Sequence, residues 1–254
     1  SLPFDEYVVI PCLGRAVDAI QGKRGPASIF WDDYLSDMTK LPRTKFGDIS
    51  VLSVNGQAFT SHFNHQFAFY FCGDFADNSH YRQELNEIRL ADQQWFLQAG
   101  KDRFPARWWG LGAGSEIKFD QVTGKISYSG YGVATLSQNP NDTFSPAIMA
   151  GFLPVEYLSR PANGANGAPL VDKNGYSQII DDLMSMYERN ECRYLYQGLE
   201  FLWRCSARDP SLRVLNVEGV DLSTYMLGLA WFDPLLGPEF FEQIAVKARP
   251  SPAN

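Results

Sequence analysis

Apolar positions along the chain recur mainly with a helical period. Aromatic residues occupy every fourth position from Phe59 through Phe63, Phe67 and Phe71, which places them on one helix face that must be buried. Leucine, isoleucine and aromatic residues repeat this spacing across residues 85–96. These patterns predict two consecutive helices in the first half of the chain.

The second half of the chain carries two more segments of helical period, over residues 177–189 and 222–232. A shorter helix is indicated at 145–153, where Ser145 is a possible N-cap and a proline follows it. Strand signals are sparse, and the best lies at 124–133 among glycines and serines. The sequence therefore predicts an all-α fold, with a short β-hairpin or an ordered long loop within residues 104–143.

Composition restricts the class of protein. The 254 residues are 45% hydrophobic and 20% charged, which is enough for one domain with a large core. The formal charge of −7 argues against a nucleic-acid partner. No stretch approaches the roughly 20 apolar residues of a membrane span. The start at Ser1 has neither Met nor the pattern of a signal peptide, which indicates a processed or partial chain.

Cysteine and histidine spacing gives no sign of a metal site. The cysteines at positions 12, 72, 192 and 205 form no Cys-x-x-Cys pair, and isolated buried thiols are the favoured interpretation. His62 and His65 share a helix face, where buried hydrogen bonding or cleft lining is favoured over metal binding. We expect no metal and no cofactor.

The most informative string runs from residue 104 to 116 and reads Phe-Pro-Ala-Arg-Trp-Trp-Gly-Leu-Gly-Ala-Gly-Ser-Glu. Adjacent tryptophans before alternating glycines suggest backbone held near a ligand, with Trp108 and Trp109 as faces for a sugar ring. A carboxyl beside them would be desolvated and kept protonated, which makes Glu116 a candidate general acid. The alternative is that both tryptophans belong to the core and Glu116 is a solvated loop carboxylate.

Glu218 and Asp221 precede the helix predicted at 222–232. Capping and the helix dipole are a sufficient explanation of acids at that place. A role in a ligand cleft is the alternative.

Six strings in order resemble the glycoamylase-like domain family of bacteria, which includes β-1,2-glucan hydrolases with an (α/α)-barrel fold. They are Phe4-Asp-Glu-Tyr, Ser61-His-Phe-Asn-His-Gln-Phe, Asn86-Glu-Ile-Arg-Leu-Ala-Asp-Gln-Gln-Trp-Phe, Trp109-Gly-Leu-Gly-Ala-Gly-Ser-Glu, Asp142-Thr-Phe-Ser-Pro-Ala and Glu218-Gly-Val-Asp-Leu-Ser-Thr-Tyr-Met. Together they span nearly the whole chain.

The resemblance implies a glucan-binding cleft at the centre of a helical barrel. It places the catalytic loop acid at Glu116 and a late acid at Asp221. For substrate binding it implies the polar residues His65, Asn86, Arg89 and Glu218 together with the aromatic residues Trp108, Trp109 and Tyr131.

Two departures from the family pattern limit what the resemblance implies. Phe69 or Tyr70 stands where the family has an aspartate, and Asp74, one turn later, is a possible substitute. A barrel of about a dozen helices also needs more residues than 254. We therefore expect residues 1–254 to form a single helical domain, the later half of a barrel, completed by an upstream segment or a second chain.

The first hypothesis is a bacterial glycoside hydrolase acting on a β-glucan, with Glu116 as acid and Asp221 or Asp74 as its ionised partner. Retaining and inverting mechanisms both stay open. The second hypothesis is a non-catalytic glycan-binding or structural protein, and a third is a transglycosylating subunit. An oligo- or polysaccharide partner and a periplasmic or extracellular location follow from the resemblance.

Overall fold

The computed structural model describes residues 4–54, 60–100, 104–120, 122–135, 139, 142–158, 177–233, 235–237 and 240–241. Its helices are α1 (Val9–Ile20), α2 (Pro26–Tyr34), α3 (Phe63–Phe71), α4 (Gly73–Ala76), α5 (Ser79–Gly100), α6 (Pro146–Gly151), α7 (Leu153–Leu158), α8 (Gln178–Glu188) and α9 (Gly219–Phe232). Two short 3₁₀ helices, Glu6–Val8 and Met38–Lys40, precede α1 and the first strand.

The helices predicted from apolar periodicity are confirmed. The aromatic repeat from Phe63 to Phe71 lies on α3, the repeat across residues 85–96 lies on α5, and the two segments in the second half of the chain lie on α8 and α9. Phe63 is buried, Phe67 and Phe71 are only partly buried, and Phe59 lies outside the described residues. Ser177 caps α8 by accepting a hydrogen bond from the amide of Ile180, at 3.1 Å. Ser145 precedes α6, and Pro146 occupies its first turn.

The all-α prediction is wrong. About 50% of the residues lie in helices and 19% in strands, so the fold mixes both. The strands are β1 (Arg43–Phe46), β2 (Ile49–Leu52), β3 (Ala113–Phe119), β4 (Ile126–Val133), β5 (Thr143–Phe144), β6 (Arg193–Tyr196), β7 (Leu199–Leu202) and β8 (Cys205–Ser206). In the described part of the chain they pair as four two-stranded antiparallel sheets, β1–β2, β3–β4, β5–β8 and β6–β7.

Two of these hairpins have strands of only four residues, too short for a clear alternating pattern. Their tight turns bring in residues with positive φ, which are Gly47 between β1 and β2, and Gln197 with Gly198 between β6 and β7. Gln197 and Gly198 both have positive φ, which is the geometry of a type I′ turn, whereas Gly47 alone has positive φ in the other turn, as in type II′; both types suit the twist of paired strands.

The hairpin expected around 124–133 is present, and it is longer than predicted. β3 pairs with β4 from Ala113 to Phe119, with an irregularity between Ser115 and Ile117. Asp120 fixes the turn, because its Oδ1 accepts hydrogen bonds from the amides of residues 122 and 123.

Two disulfides join distant segments, so the interpretation as isolated thiols is wrong. Cys12 of α1 is bonded to Cys72, between α3 and α4, and Cys192 is bonded to Cys205 of β8. Single-sequence spacing could not reveal pairs separated by 60 and 13 positions. Disulfides are consistent with a location outside the cytoplasm.

In the part of the chain described here, none of the helices combines the length and the apolar character that crossing a membrane requires.

We expect the disulfides to contribute unequally to stability. Replacing Cys192 and Cys205 by alanine should lower the free energy of unfolding by about 3 kcal/mol, because a closed loop restricts the unfolded chain. The longer loop closed by Cys12 and Cys72 should make their double alanine variant lose about 1 kcal/mol more. Urea titrations followed by tryptophan fluorescence would measure both, and the reverse order would contradict this account.

Candidate functional site

A buried arginine organises the candidate site. The guanidinium of Arg204 is fully buried. Its Nη1 donates to Oδ2 of Asp221 at 2.9 Å, and its Nη2 donates to Oε1 of Glu116 at 3.1 Å. Asp221 and Glu116, two of the candidate catalytic acids, therefore bind neighbouring nitrogens of one guanidinium.

Asp221 is fully buried and holds three segments together. Its Oδ1 accepts the amide of Ala113 at 2.9 Å, and its Oδ2 also accepts the hydroxyl of Ser145 at 2.6 Å. Asp221 belongs to the first turn of α9, so it joins that helix to β3 and to the start of α6. With its oxygens bound and shielded from solvent, Asp221 is an anchor in this conformation and not a carboxylate open to substrate.

Glu218 is the N-cap residue of α9, but its side chain reaches β3 instead of capping the helix. Its Oε1 accepts the amide of Ser115 at 3.0 Å and the Ser115 hydroxyl at 2.7 Å. The residue as a whole is half-buried. Glu218 therefore brings a third carboxylate to the site, and its Oε2 is buried without a hydrogen-bond partner among the described residues.

The alternating glycines make room for this ionic cluster. A Cβ on Gly112 would lie 2.4 Å from Oδ2 of Asp221 and 2.5 Å from Nη1 of Arg204. A Cβ on Gly114 would lie 2.9 Å from Oε2 of Glu218 and 3.1 Å from Nε of Arg204. These glycines therefore let the backbone approach the protein's own arginine and carboxylates.

The backbone of Arg204 is fixed on both sides. Trp203 donates its amide to the carbonyl of Cys192 at 2.8 Å, and Cys205 closes the disulfide to the same residue. The Arg204 carbonyl accepts the amide of Val214 at 3.0 Å. Trp203 and Val214 also belong to a small buried apolar cluster.

Burial raises the pKa of Glu116 above its ordinary value, and the charges of Asp221 and Glu218 raise it further. The positive charge of Arg204 opposes this shift without cancelling it. Only about 10% of the Glu116 side chain is exposed. Glu116 therefore combines a proton that is retained to higher pH with a small opening to solvent, as a general acid requires.

Tyr131 lies across the hairpin from Ser115 and is 55% exposed. Burial of its inner part raises its pKa, and the negative charge of Asp221 adds to the effect. Tyr128, opposite Ile117, is 38% exposed. Tyr131 thus presents an exposed ring near the carboxylates, and Tyr128 is a second exposed ring of the hairpin.

The tryptophans do not form the expected sugar platform. Trp109 is fully buried and packs against Phe152, with ring centroids 6.0 Å apart. Trp108 stacks on Phe144, with the ring planes 18° apart, and donates its indole N–H to Glu191 at 2.7 Å. Packing, which the sequence string does not reveal, buries Trp109 in the core and leaves Trp108 partly buried against it.

The structure places the remaining candidates elsewhere. Asp74 pairs with Arg15 of α1 at 2.8 Å. On α5, Nη2 of Arg89 donates to Oδ1 of Asn86 at 2.9 Å, so this pair is joined within its own helix. His65 is buried, its Nε2 lies 3.1 Å from the carbonyl of Leu52, and burial lowers its pKa to about 4.

A second buried polar pair, His62 and Asp92, supports the backbone at Leu111, just before β3. His62 Nε2 lies 3.3 Å from Oδ2 of Asp92, which accepts the amide of Leu111 at 2.8 Å. The His62 amide in turn donates to the Leu111 carbonyl at 3.0 Å. Burial raises the pKa of Asp92 to about 7 and lowers the pKa of His62 well below its usual value.

One group of possible metal ligands was found in the described ranges. It joins Cys12, Cys72 and Asp74 within 4.8 Å. Because both sulfurs are already bonded in a disulfide, the group lacks the thiolates that a metal would bind.

Comparison with models of protein families, with curated proteins and with solved structures finds no match to this chain. The resemblance described above therefore rests on its quoted strings alone.

Sequence reasoning identified Glu116, Asp221 and Glu218 but missed Arg204, which joins the first two. One signal was present, because Arg204 is a lone charge in the string Phe-Leu-Trp-Arg-Cys. A charged residue within an apolar run is buried only when it is paired, so the string requires an acidic partner.

We expect Gly112, just before β3, and Gly132 of β4 to differ sharply in their tolerance of alanine. Gly112→Ala should destabilise the protein by about 1–3 kcal/mol, because its methyl group overlaps the Arg204–Asp221 pair. Gly132→Ala is the matched control, since nothing lies within 4 Å of its added Cβ. Thermal unfolding of both variants would test this. Equal losses of stability would show that the Arg204–Asp221 pair shifts readily to accept the methyl group, and would contradict the prediction.

We expect the Asp92→Asn variant to gain stability relative to the unsubstituted protein as the pH rises. A carboxyl whose pKa is raised on folding contributes its full stabilisation to the folded protein at low pH. That contribution is lost as the pH rises from the ordinary pKa of the carboxyl to about 7. Asparagine retains an acceptor for Leu111 and does not ionise. Urea unfolding at pH 5 and pH 8, with the exposed Asp33→Asn as control, should show the gain for Asp92→Asn alone. A difference that is independent of pH would contradict the raised pKa.

Proposed function

We propose that this protein is a glycoside hydrolase acting on a β-glucan, with Glu116 as its protonated general acid. The observation that carries the proposal is the largely buried Glu116 carboxyl, whose pKa is raised among three carboxylates and one arginine. A general acid kept protonated beside an ionised carboxylate is the arrangement of glycosidases. The family resemblance supplies the substrate class.

Glu218 is the better candidate for the ionised partner. It has an oxygen without a hydrogen-bond partner, whereas Asp221 is sealed by Ala113, Ser145 and Arg204. In the proposed reaction, Glu116 protonates the oxygen that leaves the cleaved bond. The Glu218 carboxylate either attacks the sugar or activates a water molecule. Tyr131 and Tyr128 offer exposed rings against which a sugar could stack.

A specific observation favours a non-catalytic glycan-binding or structural protein as the second candidate. The position at which the family carries an aspartate is taken by Phe69 or Tyr70, and both are buried in the core. Arg204 and Asp221 also bridge secondary-structure elements, as a purely structural cluster would.

The two disulfides support a location in the periplasm or outside the cell, where such bonds persist. A soluble or cell-surface glucan is an accessible substrate in either place.

The experiment is a reducing-end assay on linear β-1,2-, β-1,3- and α-1,4-glucans. We expect new reducing ends from a β-glucan, and a loss of about 10²–10⁴-fold in kcat/KM for Glu116→Gln. Glu218→Gln should cause a comparable loss. Because the pKa of Glu116 is raised, activity should fall as pH rises through it.

Two variants make the assay selective. Glu188→Gln removes an exposed acid on α8 and serves as the matched control. Asp74→Asn tests the other assignment of the ionised partner, and inactivity of this variant with an active Glu218→Gln would reverse our choice. Glucan binding by calorimetry without product release would favour the second candidate, and release that persists in Glu116→Gln would exclude Glu116 as the acid.

A further inference from the structure

One helix exposes a continuous apolar stripe. Ile10, Leu13, Val17 and Ile20 of α1 are between 47% and 86% exposed. Their spacing of three, four and three residues places them on one face, about 15 Å long. Single exposed apolar residues are common, but an ordered stripe marks an interaction surface.

The stripe cannot turn inward, because the opposite side of α1 is held. Val8 and Cys12 are buried in the core, and the disulfide from Cys12 fixes the helix to Cys72. On a third side of α1, a Cβ added to Gly14 would lie 2.7 Å from the Cβ of Ala27 in α2. The apolar residues are therefore presented outward on a rigid helix.

We propose that this stripe is a homodimer interface, in which α1 packs antiparallel against α1 of a second copy. The spacing matches the a and d positions of a heptad repeat, and the β-branched residues Ile10 and Val17 occupy the a positions. Antiparallel packing about a two-fold axis opposes Ile10 to Ile20 and Leu13 to Val17 of the partner subunit. Two copies of one stripe thereby cover each other completely.

Charge complementarity selects the second copy and the antiparallel direction. Glu6 precedes Ile10 by one turn, and the exposed cation Lys23 follows Ile20. In the antiparallel arrangement, the acidic end of one stripe meets the basic end of the other at both ends of the interface. A parallel arrangement would oppose like charges at both ends.

The test uses the full chain in sedimentation-velocity experiments over concentrations up to several hundred micromolar. The seam is shorter than a standard interface, so half-dimerisation is expected on the order of 100 µM. Leu13→Glu should abolish dimers, whereas Leu199→Glu, which changes an exposed leucine on β7, should not. Circular dichroism must show that both variants are folded.

A charge exchange tests the direction. Glu6→Lys and Lys23→Glu should each weaken dimerisation at low salt, and the double variant should restore it. A chain that stays monomeric throughout would overturn the proposal, as would dimers that Leu13→Glu leaves intact. Failure of the double variant to restore dimers would overturn the antiparallel arrangement.

Discussion

The burial of Arg204 is the constraint on which the candidate site depends. Removing an isolated guanidinium from water costs several kcal/mol, and only closely placed carboxylates and hydrogen bonds offset that cost. Asp221 and Glu116 supply them from α9 and β3. The three elements must therefore dock together, and glycine is required at 112 and 114 because any side chain there would separate the charges.

The same constraint gives the site its chemical character. Glu116, Glu218 and Asp221 share one arginine, so full ionisation would leave excess negative charge in a poorly hydrated place. Asp221 is bound most completely, and burial together with the charges of Asp221 and Glu218 raises the pKa of Glu116, so Glu116 retains its proton to a higher pH than an ordinary glutamate. An arrangement that first stabilises the packing of β3 thus also produces a carboxyl suited to proton donation.

Periodicity was sufficient to predict α5 and α8, because each of these helices buries one face, and α3, which is buried almost all round, showed the same aromatic spacing. It failed for the hairpins of four-residue strands, where turn geometry and cross-strand pairing decide the structure. The sequence string around Glu116 did not reveal how the tryptophans pack. Whether Trp109 faces a ligand or Phe152 depends on contacts between residues far apart in sequence, which composition does not encode.

Each disulfide fixes the orientation of a segment that carries an unfavourably placed group. The bond between Cys192 and Cys205 holds the residue next to Arg204, so the guanidinium does not have to be positioned by ion pairs alone. The bond between Cys12 and Cys72 holds α1, whose apolar stripe would otherwise gain free energy by rotating toward the core. Covalent anchoring in both places allows the chain to maintain arrangements that burial by itself would oppose, a buried charge in one case and an exposed apolar face in the other.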